Sequence, residues 1–137
     1  MALVLDTGVL YAALDVRDAD HAACASLISA SNEPLVIPAP VLVEADYWLR
    51  KNASVEVWVR LCEAAAAGAY TVYNLGPDDL VLAARFQLKY RDLPLDFVDA
   101  SVMATCEALG ERKVATLDRR DFGITRTSTK LAWKIVP

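Results

Sequence analysis

Four acidic residues stand where acids are costly. Asp6 follows the apolar run "ALVL" (Ala2–Leu5), and Asp118 follows "KVATL" (Lys113–Leu117). Glu44 lies within "APVLVEADYWLRK" (Ala39–Lys51), at the edge of a helical stripe formed by Val41, Ala45, Trp48 and Leu49. Asp99 lies in "LPLDFVDASV" (Leu93–Val102), three residues after Asp96, at the head of a stripe formed by Val102, Met103, Cys106 and Leu109. If the four converge they repel one another, and some take up protons unless a cation sits between them. An oxygen-only set without His or Cys suits Mg²⁺ or Mn²⁺. Such ions promote phosphodiester cleavage by activating a water and stabilising charge on the reacting oxygens. Each acid also has a plainer reading. Asp6, Asp96 and Asp118 fit helix N-caps, Glu44 fits a structural salt bridge, and Asp99 as third helical residue is favoured by the helix N-terminus.

The elements that must position these acids alternate. Short apolar strands are predicted at Ala2–Leu5, Pro34–Pro38, Tyr70–Leu75, Lys113–Leu117 and Lys130–Pro137. Helical patterns fill the intervals: Thr7–Leu14, Asp18–Ala30, Ala39–Lys51, a helix capped by Ser54 that runs to about Ala67, Pro77–Arg91, and one that starts at Asp96 and ends near Gly110. This alternation predicts an α/β fold with a mostly parallel sheet covered on both faces. In such sheets sites gather at the carboxyl ends of the strands, where Asp6 and Asp118 are expected.

The 137 residues fit one domain, residues 1–137, with one sizeable core, and 55% of them are hydrophobic. No apolar run reaches the roughly 18–20 residues of a membrane span, and "MALVLD" lacks the basic start of a secretory signal. A cytoplasmic protein is therefore expected. Cys24, Cys62 and Cys106 read as small core residues in a reducing compartment. The net charge of −4 is unevenly spread. Residues 1–84 hold 4 basic and 11 acidic side chains, and residues 85–137 hold 10 and 7. The mildly basic second part fits solvated surface at Arg85, Lys89, Arg91, Arg112 and Lys113.

The four motifs "LDTGVLYA", "VLVEADYWL", "LPLDFVDASV" and "ATLDRRDF" together resemble those of PIN-domain ribonucleases, and among them the VapC-type toxins of bacterial toxin–antitoxin pairs. The resemblance spans essentially the whole chain, with the motifs in the family's order. It implies a three-layer α/β/α fold around a five-stranded parallel sheet. It implies a catalytic metal site at Asp6, Glu44, Asp99 and Asp118, with Asp6 and Asp99 the most dependable ligands and Thr7 and Thr116 as supporting polar residues. The implied cofactor is Mg²⁺, with Mn²⁺ as a substitute. The implied reaction is endonucleolytic cleavage of RNA by a metal-activated water. The implied partners are a small cognate antitoxin and a second copy of the chain. Asp96 stands where relatives often carry a small residue, and Asp121 stands where many have histidine. Asp121 is left as a supporting acid or a first-turn helix residue.

Other sites compete. Arg119 and Arg120 could bind RNA phosphates or pair with the acids. "DTG" (Asp6–Gly8) is also the aspartic-protease tripeptide, which a homodimer would supply twice, but those enzymes are β-rich and this pattern is helical. His21 lies at a polar helix start without a strand-end nucleophile and reads as a surface residue. A PIN-like binding module with an inactive site is the remaining different class.

Overall fold

The computed structural model describes all 137 residues. In chain order it contains β1 (Leu3–Leu5), α1 (Thr7–Leu14), α2 (His21–Ala30), β2 (Leu35–Pro38), α3 (Ala39–Asn52), α4 (Val55–Ala66), β3 (Thr71–Tyr73), α5 (Pro77–Lys89), α6 (Phe97–Ala108), β4 (Lys113–Ala115), α7 (Arg119–Ile124) and β5 (Lys134–Val136). The five strands form one sheet in the order β3-β2-β1-β4-β5, and every pairing is parallel. Parallel neighbours need crossovers, and right-handed crossovers place α1–α4 on one face and α5–α7 on the other. The result is the expected three-layer α/β/α arrangement.

The chain leaves β1 toward β2 on one side and later returns to β4 on the other. The point where the strand order reverses therefore lies between β1 and β4, and a crevice opens there at the carboxyl ends of the strands. β1 is buried along its length, as a central strand covered on both faces must be. The core continues through Val9 and Leu10 of α1, Val41, Ala45 and Leu49 of α3, and Val102, Met103 and Cys106 of α6. In α6 every residue from Ala100 to Cys106 is buried. Its two polar members fold their hydroxyls back onto the helix: Ser101 Oγ donates to Phe97 O at 2.6 Å and Thr105 Oγ1 to Ser101 O at 2.8 Å. No hydroxyl of this central helix lacks a partner.

Most element boundaries lie close to the sequence reading, and the differences have local causes. α2 begins at His21 rather than Asp18, because Asp18 Oδ1 accepts from Asp20 N and turns the chain before the helix. β4 stops at Ala115, because Thr116 Oγ1 accepts from Asp118 N and starts a turn. Asp118 therefore lies three residues beyond its strand. α4 and α6 are each followed two residues later by Gly68 and Gly110, whose φ angles of +93° and +68° favour glycine. Five side chains depart from the sequence reading of their surroundings. Trp48 and Leu109 are exposed, not part of their helices' buried stripes. Cys62 is an exposed thiol, while Cys24 and Cys106 are buried. His21 is half-buried, with Nδ1 2.8 Å from Ala12 O, and ties α2 to α1. Lys113 is no free surface charge either; it pairs with Glu33. No helix is long and apolar enough to cross a membrane.

Met103 sits at the centre of this packing, fully buried on α6. Met103→Ala is expected to cost about 2–5 kcal/mol by leaving a cavity, measured as a lower urea midpoint. An unchanged midpoint would mean that α6 packs loosely.

Candidate metal centre

Asp6 is the best-held of the acids. It is buried and ends β1, where its own N–H donates to Ala115 O at 2.9 Å and locks β1 against β4. Oδ1 accepts from Thr7 N at 2.8 Å, so Asp6 caps α1. Oδ2 accepts from Thr116 Oγ1 at 2.7 Å. Thr7 and Thr116 extend the clamp outward. Thr7 Oγ1 donates to Glu44 Oε1 at 2.7 Å, and Thr116 Oγ1 accepts from Asp118 N at 3.0 Å. Two buried hydroxyls thus join acids that arrive on β1, α3 and the β4–α7 turn.

The capping readings also hold. Asp96 Oδ1 accepts from Asp99 N at 2.8 Å and caps α6. Asp118 Oδ1 accepts from Asp121 N at 2.8 Å and caps α7. For Asp6 and Asp118, cap and site are one and the same placement. A helix start at the carboxyl edge of a sheet points its capping carboxylate into the crevice. Glu44 is bonded to Thr7 instead of to any cation, so its salt-bridge reading fails. Asp46 and Arg50 form the ion pair of that helix, at 2.6 Å on the exposed side.

All four predicted acids line one cavity of about 500 Å³, together with Thr7, Asp96, Tyr11, Trp48 and Asn52. The tightest group differs from the expected one. Carboxylate oxygens of Asp99, Asp118 and Asp121 lie within 4.8 Å of one another. Asp6 and Glu44 stand outside that trio, tied to the threonines. Asp121 enters because the first turn of α7 sets it three residues from Asp118. That i,i+3 spacing was visible in the sequence, but the facing position of Asp99 was not.

Burial, and then crowding, raises the pKa values. Burial pushes the Asp6 carboxyl up to about 6, against the opposing hydrogen bonds from Thr116 and Thr7. Burial first, and then the charges of Asp6, Asp96, Asp118 and Asp121, push Asp99 up to about 8. Asp121 is also raised, by burial and then by Asp118, with Arg120 pulling the other way. A divalent ion would relieve this repulsion. The donor set fits one: every candidate atom is a hard oxygen, and the trio's carboxylate oxygens already lie within 4.8 Å of one another. The two arginines behave differently from each other. Arg119 Nη2 donates to Pro137 O, away from the acids, whereas Arg120 is exposed and unpaired.

The sequence pattern of the PIN domain matches residues 3–127, nearly the whole chain. The chain belongs to the PIN-domain family. Ribonuclease VapC26 of Mycobacterium tuberculosis is 30% identical to this PIN domain over 135 residues, covering 98% of this chain and 100% of that protein. The crystal structure of Mycobacterium tuberculosis VapC20, a sarcin–ricin-loop-cleaving toxin, superposes with a TM-score of 0.76 at 18% identity, over 82% of this chain and 87% of that one. VapBC2 from Rickettsia felis, bound to a promoter DNA fragment, gives 0.72 at 13% identity over the full length of both chains. At those identities the structures bear on the fold, and the fold agrees.

Two outcomes follow for this PIN domain. Between about pH 4, where an unfolded aspartate titrates, and about pH 8 the folded Asp99 holds a proton that the unfolded chain has lost. Stability of the metal-free protein therefore falls as pH rises through this window. Mn²⁺ should restore the melting temperature more at about pH 8 than at about pH 5, because binding must first displace the proton; a Mn²⁺ effect independent of pH would refute the coupling. Second, Thr116→Val removes the donor to Asp6 and the acceptor for Asp118 N. Mn²⁺ affinity should drop roughly 10–100-fold by calorimetric titration, and an unaltered affinity would show that Thr116 does not position the acids.

Proposed function

We propose that this PIN domain is a Mg²⁺-dependent endoribonuclease and the toxin of a type II toxin–antitoxin pair. The observation that carries the reading is the convergence of Asp6, Glu44, Asp99 and Asp118, from four separate segments, on one cavity at the reversal of strand order. The 30% identity to Ribonuclease VapC26 over nearly the whole chain supports the same activity. Structures of toxin–antitoxin complexes with the same fold, among them one from Klebsiella pneumoniae, support a small antitoxin as partner. A homodimer and a cytoplasmic location belong to the same reading, and the three free cysteines accord with a reducing compartment. The aspartic-protease reading of Asp6–Gly8 finds no support in an all-parallel sheet between helices.

In this reading Asp99, Asp118 and Asp121 would hold the ion, with Asp6 and Glu44 lining the same cavity as further carboxylates. When bound, Mg²⁺ or Mn²⁺ supplies an activated water and neutralises charge on the phosphodiester oxygens. Thr7 and Thr116 hold the carboxylates of Glu44 and Asp6 in place before substrate arrives, so no reorganisation is needed during the reaction. Glu44 accepts a hydrogen bond on Oε1 alone, which leaves Oε2 free to orient or take a proton from the attacking water. The acidic cavity repels RNA without its cation, so metal and substrate binding are coupled. In the same reading Arg120, exposed beside Asp121, meets a phosphate outside the acid cluster.

Asp99→Asn tests the reading. The purified, antitoxin-free protein should cleave single-stranded RNA with Mg²⁺ or Mn²⁺, and the variant should lose roughly 10²-fold or more of that rate. Below about pH 8 the metal-free Asp99 carboxyl is already neutral, so its near-isosteric amide should not lower the metal-free melting temperature. Wild-type protein that cleaves no RNA with either ion would favour the binding-module alternative.

A further inference from the structure

The face that α3 turns to the acid cavity carries more than Glu44. Glu44, Trp48 and Asn52 are spaced four apart, lie on one side of the helix and all line the cavity. Trp48 is 42% exposed and its neighbour Tyr47 is 52% exposed, although both are large aromatic residues. Their rings pack edge to face at 5.0 Å and 80°, which fixes the indole without burying it. The indole N–H and the Asn52 side-chain amide have no hydrogen-bond partner within the chain, while Asn52 O is held by Arg17. Lys51 Nζ lies 5.4 Å from the centroid of each ring and 3.4 Å from Tyr47 Oη. A rigid exposed ring and a free amide thus border a cavity whose interior is acidic, and Lys51 lies over the ring beside them.

We propose that Trp48, braced by Tyr47, stacks an unpaired RNA base next to the bond that is cut, with Asn52 meeting the base edge and Lys51 the adjoining phosphate. The inference rests on the ribonuclease reading and names the substrate class of that site: RNA with a splayed-out, unpaired base. Three features favour this occupant. An aromatic face accepts any base, and alanine replacement at such stacking positions weakens binding substantially. Recognition in loops and single strands relies on stacking plus hydrogen bonds to base edges, which the free Asn52 amide can make. The cavity itself repels phosphate, so the backbone leaving it needs a cation nearby, and Lys51 beside the aromatic pair supplies one. Trp48 is a positioning and specificity residue in this account and touches no reacting atom.

The test compares wild type, Trp48→Ala and Trp48→Phe on a mixed-sequence single-stranded RNA in Mn²⁺. Cleavage positions are mapped, and the preferred substrate is rebuilt with abasic nucleotides flanking the cut. Trp48→Ala should raise KM roughly tenfold, with the effect on KM rather than kcat, and Trp48→Phe should restore most of the loss. The abasic substrate should be cut equally poorly by wild type and Trp48→Ala. An unchanged KM, or an abasic penalty of the same size in both proteins, overturns the proposal. So does a Trp48→Ala variant that alters only the oligomeric state, because the aromatic pair would then be a protein interface. RNA binding by Asp99→Asn, with and without Trp48→Ala, separates the two readings. If wild type does not cut but Trp48→Ala still weakens this binding about tenfold, stacking stands and the nuclease reading falls. If neither cleavage nor binding occurs, both fall.

Discussion

Both oxygens of the Asp6 carboxylate are held by hydrogen bonds, and the backbone N–H of the same residue fastens β1 to β4. Much of the rest depends on this arrangement. A buried carboxylate without partners would be strongly disfavoured, and here two donors and a helix start supply what water would have given. The same bonds draw Thr7 and Thr116 into fixed positions, and these two hydroxyls reach Glu44 and the Asp118 turn. One residue at the end of a central strand therefore orients acids from two other segments. Burial is still the dominant influence on Asp6, whose pKa stays raised despite the bonds. The clamp reduces the cost of the site without removing it.

The remaining cost is held by packing away from the acids. α7 has only six residues, too few to be stable alone. It is anchored by the buried Phe122, whose ring meets Trp133 at 6.2 Å. Trp133 also packs against Phe86 of α5, and its Nε1 donates to Thr125 Oγ1, which donates in turn to Asp121 O. The backbone of Asp121 is thus tied through Thr125 to an indole in the core. α6 plays the same part for Asp99. Seven consecutive buried residues leave it little freedom to withdraw when its first turn meets four other carboxylates. Rigid supports let a repulsive cluster persist until a cation compensates it.

Much of this was legible in the sequence because it is local. Asp6, Ser54, Asp96 and Asp118 cap helices through bonds that span at most three residues. Such bonds depend on residue type and spacing, so capping signals located four helix starts. Alternating strand and helix patterns located the sheet, and the strand-end rule pointed to the edge where the acids gather. The motifs were specific only as a set, since each piece alone fits a cap or an ordinary helix. Where the reading missed, the cause was an interaction between distant segments. Trp48 carries an apolar side chain at an apolar spacing, yet it stays exposed, because the cavity opens on that side of α3. Asp121 could be read as a first-turn residue, but only the placement of α7 opposite α6 makes it part of a trio.

The sequence by itself determined the elements, the parallel α/β architecture and the identity of the acids, because these follow from periodicity, capping and motif. Tertiary structure decided which acids face one another and which are held aside. Thr7 and Glu44 are 37 residues apart, and Asp6 and Thr116 are 110 apart. Contacts over such separations depend on strand order and register, and on how each helix rotates against the sheet. Those quantities are set by the packing of the whole core and leave no short-range pattern in the chain.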